Sequence, residues 1–211
     1  MNKREHNSII DNVYKQATIS TEIAEQCFYV LINKDESIYI GCGVRLAELI
    51  AANYTNINVQ TKGKVENGWC HSVCEITDNE TNYTLSEEYW IECGERDKKI
   101  CMQSSNSIAF RNAVNRAIPK VLIEEILNKI IAFAVNGKNK RNRVNELLNA
   151  FAKFGGTEKQ VLQLLKIKKK TDIGDSDMKK LIGFKNALQS GEMEWKTLFK
   201  TPKKKSFNHL F

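Results

Sequence analysis

The sequence predicts an α+β protein: an antiparallel meander of three or four strands packed on helices, followed by a small all-helical C-terminal domain. Three observations carry this. Strand-like runs between Ile57 and Ile91 are punctuated by turn residues, Asn67-Gly68 and Asp78-Asn79-Glu80. A long helical period begins at Ser104. Three shorter helical patterns then follow a polar, basic stretch at 136–143.

Taken in order, residues 8–26 have a helical period with a break near Thr18-Ile19-Ser20-Thr21, where Ser20 or Thr21 caps the second piece. Cys27 to Ile32 is a short apolar run, a buried strand or a helix end. Asn33 to Ser37 is a turn by composition, and Ser37-Ile38-Tyr39-Ile40 leads to Gly41-Cys42-Gly43. A helix follows from Val44 to about Asn53, with Leu46, Ala47, Leu49 and Ile50 as its apolar stripe. Ile57–Val65, Trp69–Ile76 and Tyr83–Ile91 form the meander, with Asn67-Gly68 as a two-residue hairpin signal and Lys98–Met102 as a short fourth strand. The helix from Ser104 runs to about Ile118, is kinked or restarted at Pro119, and continues to about Val135. Helical patterns at 143–154, 157–167 and 175–189 come next. A last turn near Trp195 and Leu198 covers them, and 201–211 reads as a basic tail. The expected division is therefore 1–135 as core, 136–143 as hinge, 144–200 as helical domain and 201–211 as tail.

The 211 residues are 42% hydrophobic and 27% charged, a globular balance large enough for a real core. No apolar run approaches the roughly 18 residues that span a bilayer, and the polar N-terminus has no signal-peptide pattern. The expectation is a cytoplasmic protein with no membrane partner. The net charge of +7 is unevenly spread. Residues 1–100 carry 10 Lys and Arg against 16 Asp and Glu, whereas residues 101–211 carry 22 against 9. A basic half this strong points to a polyanion, most often nucleic acid; the alternative is a solvated basic surface.

Enzyme signatures are absent: no phosphate loop, nucleophile elbow, zinc-protease helix or dinucleotide fingerprint. No catalytic residue, cofactor or metal is expected. Six cysteines are spread without a disulfide-scaffold pattern and read as reduced thiols. Cys70-x-x-x-Cys74 encloses His71, but strand spacing sends the two thiols one way with no second ligand pair, so zinc is not indicated. Acidic neighbours such as Glu87-Glu88 point to opposite faces of a strand, which disfavours a two-metal site.

The informative segment runs from Ser104 to Lys120. On a helix, Phe110, Ala113, Val114, Ala117, Ile118 and Val121 share one side, while Arg111, Asn112, Asn115 and Arg116 share the other with Lys120 at its margin. The polar side offers cations and amides suited to phosphates and sugars, the planar arginine fork most of all; the alternative is an ordinary amphipathic helix. Arg45 in the first turn after Gly41-Cys42-Gly43 is unfavourable for the helix dipole, which suggests a ligand, although an Arg45–Glu48 ion pair accounts for it equally. Lys62 and Lys64 share a strand face with Gln60 and are expected to line a groove opposite the Arg111 helix. Trp69, Tyr83, Tyr89 and Trp90 either stack bases or pack the core.

The order of Val44-Arg45-Leu46-Ala47-Glu48, the meander, and Ser107-Ile108-Ala109-Phe110-Arg111-Asn112-Ala113-Val114 through Arg116, Ile118, Pro119 and Lys120 resembles phage single-strand annealing proteins of the broad RecT/Redβ-like recombinase superfamily. The resemblance runs from about Ile23 to Phe199. It implies an ATP-independent core that binds single-stranded DNA, assembles as a ring or helical filament, and anneals complementary strands in recombination. It implies Arg111, Asn112, Arg116 and Lys120 as DNA-facing, with Arg45 as a second contact. It also implies a bacterial cytoplasm, with the C-terminal helices and tail expected either to add non-specific DNA affinity or to recruit a host replication partner such as the single-stranded-DNA-binding protein. The superfamily's usual Gly-Pro-Ser before Val-Arg-Leu-Ala-Glu is Gly41-Cys42-Gly43 here. Two rival readings are a phage protein that binds or inhibits a host repair or defence complex, and a metal-dependent nuclease using Glu75, Glu87 or Glu88.

Overall fold

The structure, a computed structural model, describes residues 5–33, 35, 37–94, 97–136 and 140–199. The tail at 201–211 and hinge positions 137–139 lie outside the described residues. The fold is α+β, with two antiparallel sheets packed among helices and a helical C-terminal region.

Helices α1 (His6–Ala17) and α2 (Thr21–Gln26) precede a hairpin of β1 (Phe28–Ile32) and β2 (Ile38–Cys42), paired from Phe28↔Cys42 to Ile32↔Ile38. Ser20 caps α2 by accepting from the Ile23 N–H. Gly43 opens α3 (Val44–Asn53), whose stripe of Leu46, Ala47, Leu49 and Ile50 is buried as the spacing predicts. The meander is β3 (Ile57–Glu66), β4 (Trp69–Asp78) and β5 (Tyr83–Glu92), in spatial order β3-β4-β5. Asn67 (φ 49°) and Gly68 (φ 81°) turn the first hairpin, both in the left-handed region that a tight two-residue turn requires.

Helix α4 (Lys98–Ala117) lies across one face of this sheet, over Cys70, Ser72, Cys74 and Ile76 of β4. It starts earlier than the sequence suggests. Lys98–Met102, read as a fourth strand, is its first turn. The reason is Asp97, whose carboxylate accepts from the N–H groups of Lys99 and Ile100 and caps the helix. At Gly63 the helix comes so close that a Cβ would sit 2.6 Å from Asn106 Oδ1. Ile118 is extended, as a residue before proline prefers, and α5 (Lys120–Val135) restarts after Pro119.

The C-terminal region holds α6 (Lys140–Lys153), α7 (Glu158–Leu165), a 3-10 turn (Lys170–Asp172), α8 (Asp175–Ser190) and a final 3-10 turn (Trp195–Phe199). Trp195 packs against Phe151, their ring centroids 5.6 Å apart. Residues 140–143, expected as part of a solvated hinge, are instead the first turn of α6. Arg143 is buried there: it donates to Glu25 Oε1 at 2.8 Å, to the Val135 carbonyl at 3.3 Å and to the Ala134 carbonyl. Helix α8 packs directly on β1, where a Cβ on Gly183 would lie 2.7 Å from Val30 Cβ. One continuous core runs from α1 to Leu198.

Candidate nucleic-acid interface

Seven residues were expected to face DNA, and the fold divides them among three places. Arg111 is not at the surface. Its side chain is 4% exposed, and Nη1 donates to both carboxylate oxygens of Glu192 at 2.7 Å. Nε and Nη2 donate to Asn112 Oδ1 at 3.3 and 2.9 Å, and the guanidinium lies 4.5 Å from the centroid of the Tyr29 ring. Burial opposes its charge, but Glu192 and Tyr29 outweigh that and push its pKa up. The outward-facing role expected for Arg111 is therefore corrected. The physical reason is that α4 is covered on two sides, by the sheet and by α3, so the flank that looks solvent-facing on a helical wheel is enclosed. Asn112, half-buried, is spent on holding the guanidinium.

Arg45 lies near Arg111. Both line a cleft of about 370 Å³, together with Gln26, Asn186 and Gln189, between the start of α3 and the end of α8. Arg45 is bonded there to Glu48 at 3.1 Å, the ion pair weighed above as the plainer explanation. Arg116 and Lys120 sit at the α4–α5 junction. Arg116 pairs with Glu87, and Lys120 with Glu124 at 3.4 Å; both cations are well exposed.

Lys62 and Lys64 are on the sheet face turned away from α4. Their register partners are Val73 and His71, while the alternate positions Thr61, Gly63 and Val65 pair with Cys74, Ser72 and Cys70 under the helix. The groove expected between these lysines and the Arg111 helix is thus not formed, because the sheet itself intervenes. What the lysines do join is an uncovered aromatic face. Lys64, His71 and Trp90 are successive cross-strand neighbours, and the His71 and Trp90 rings stack at 3.8 Å with 9° between their planes. Trp90 is 48% exposed, and Trp69 on the same face is 41% exposed. His71 Nε2 lies 3.1 Å from Glu88 Oε2. Lys64 pairs with Glu66 at 2.8 Å, and Lys62 has no ion-pair partner among the described residues.

The same alternation separates the other candidate groups. Cys70 and Cys74 are buried under α4 while His71 faces outward, so the three do not converge on a metal. Glu87 turns toward α4 and Arg116, whereas Glu75 and Glu88 are on the outer face, so the carboxylates weighed for a nuclease are split by the sheet. Among the described residues no group of three His, Cys, Asp or Glu is placed to hold a metal ion. Burial pushes the Cys27 and Cys42 thiols up to about 12.

The sequence reading missed Glu192 and Tyr29 as partners of Arg111, since nothing local in the chain couples residues 81 positions apart. It placed Trp90 among possible stacking residues without its His71 partner, although the strand alternation of 71 and 90 carries that signal. Among the described residues no helix is long and apolar enough to cross a membrane. Compared with family models, curated proteins and solved structures, the chain matches none.

Proposed function

We propose that the chain binds single-stranded DNA and anneals complementary strands without ATP, as a ring or filament of identical subunits, in phage or mobile-element recombination. The observation that carries the reading is the outer face of the three-stranded sheet. Trp69 and the Trp90–His71 stack offer exposed rings for bases, beside Lys62 and Lys64 for phosphates. Flat aromatic surface combined with cations suits a strand without regard to its sequence, because every base has a π-face. Glu88 and Glu92 on β5 repel a phosphate backbone, which favours a track along β3.

Self-association is supported by the sheet edges. β3 and β5 each pair only with β4 among the described residues, so both offer free backbone groups to a neighbouring subunit. The resemblance of the Arg111-to-Lys120 block to annealing proteins points the same way. The C-terminal helices are then the place for a host single-stranded-DNA-binding protein.

The test is intrinsic fluorescence. Of the three tryptophans, Trp69 and Trp90 are on the face and Trp195 is packed on Phe151. Adding an oligonucleotide quenches the emission, and Trp90→Ala removes much of the quench and weakens binding by about 1–3 kcal/mol, the range for one stacked base. Unquenched emission on saturation with DNA removes this face from the reading.

A further inference from the structure

The chain's charge excess has a location. Residues 138–170 hold ten Lys and Arg against two acids, an excess of eight that is larger than the net +7 of the whole protein. Along α4 and α5 from Arg111 onward the cations do not share this excess, since Arg111, Arg116, Lys120 and Lys129 are each bonded to a glutamate. In the C-terminal region, by contrast, cations distant in the chain are brought together: Lys140 and Arg141 on the first turn of α6, and Lys170 at the start of the 3-10 turn after α7.

They meet at a cleft of about 430 Å³. Lys140, Arg141, Asn145, Lys170 and Thr171 are its polar lining, the Thr171 hydroxyl donating to Asp172 Oδ1 at 3.2 Å, and Val144 and Ile173 its apolar lining. Lys170 is steered by Asn145, whose Oδ1 accepts from Nζ at 3.5 Å. Lys140 is partly compensated by Asp175 at 2.6 Å. Arg141 is exposed and has no ion-pair partner among the described residues. Like charges held this close repel one another, and a polyanion relieves the repulsion while releasing its own counterions.

We propose that this cleft is a second single-stranded nucleic-acid site, gripping the phosphodiester backbone while the sheet face receives bases. This rests on the DNA-binding reading above. Cations from two chain segments on one cleft fit successive phosphates, with the apolar side of the cleft against a sugar. Arginine adds a bidentate fork that lysine lacks, which makes Arg141 the anchor.

The experiment compares the full chain with Lys140→Ala, Arg141→Ala, Lys170→Ala in one variant. All three side chains are exposed, so the melting temperature is expected to stay put, and a melt accompanies every titration. Binding of a labelled oligonucleotide is measured against salt. Loss of three phosphate contacts shallows the log–log salt slope by about 2 and weakens binding tenfold or more, from about 0.7 per contact on a single strand. Tryptophan quenching at saturation persists in the variant, because the sheet face is intact. A variant whose slope and affinity equal those of the wild type overturns the site while leaving the function reading standing. A wild type with no salt-dependent binding overturns the function reading and this site with it. If poly-glutamate binds the wild type and not the variant, while DNA binds both alike, the cleft is an acidic-peptide site and the proposal falls.

Discussion

Arg111 and Glu192 are locked together across 81 residues, with Nη1 donating to both carboxylate oxygens at 2.7 Å inside the fold. The pair ties α4 to the segment after α8, and Tyr29 and Asn112 complete the enclosure of the guanidinium. A cation so placed ties these elements of the fold together.

The first prediction follows from that enclosure. Removing one member strands the other charge in a buried setting, so Glu192→Ala and Arg111→Ala each destabilise by about 3–5 kcal/mol. The double variant Arg111→Ala, Glu192→Ala is destabilised by less than the sum, because no charge is left unpaired. Urea unfolding of the four proteins closes the cycle. Additive losses would mean that the two side chains are solvated independently.

Lys62 and Lys64 should differ despite sharing a face. Lys64 is half-neutralised by Glu66 at 2.8 Å, whereas Lys62 has no ion-pair partner among the described residues. Lys62→Ala therefore lowers the salt slope for single-stranded DNA by about 0.7, and Lys64→Ala by less. Anisotropy titrations over a range of salt read both. Equal or reversed effects would contradict the backbone track along β3.

The docking of α8 on β1 gives a third prediction. Gly183→Ala puts a methyl group 2.7 Å from Val30 Cβ, in a place with no slack. Overpacking of this kind costs about 1–3 kcal/mol. Since one core spans both regions, the loss is expected as a lowered midpoint of a single unfolding transition. Two separate transitions, with only one of them moved, would show that the helical region folds by itself.

Alkaline pH supplies the fourth. Burial raises the Cys27 and Cys42 thiols from an ordinary 9.0 to about 12. Below 9.0 both folded and unfolded chains keep these protons and stability is unaffected. Between 9.0 and about 12 the unfolded chain ionises while the folded one does not, so stability falls as pH rises. Each unit in that window costs up to about 1.4 kcal/mol per thiol. Urea midpoints measured between about pH 8 and about pH 10.5 should drop, and the Cys27→Ala, Cys42→Ala protein should show the flatter profile. A wild-type midpoint constant over that span would contradict the burial of the two thiols.

The fold was legible where its signals are local. Asn67-Gly68 announces its hairpin, Pro119 its helix break, and the alternation of Lys62 and Lys64 correctly puts both on one face. Lys98–Met102 reads as a strand because the consecutive apolar residues Ile100, Cys101 and Met102 outweigh a single capping aspartate. Arg111 and Arg143 were misread for a different reason. Each sits at a position that its local pattern marks as polar, and each is buried by a glutamate that only the tertiary fold delivers, Glu192 and Glu25. Local periodicity records which flank is charged; it does not record that the flank has a partner. The basic cleft escaped notice for the same reason, since its two halves are distant in the chain and its first half read as a hinge.

Annealing itself is the most direct test of the account. Two complementary labelled oligonucleotides are mixed with and without the protein at two salt concentrations, with no nucleotide cofactor present. The account predicts salt-sensitive capture of the single strands and duplex formation faster than in buffer. Binding no tighter than that of an unrelated basic protein, with an unchanged annealing rate, would contradict it.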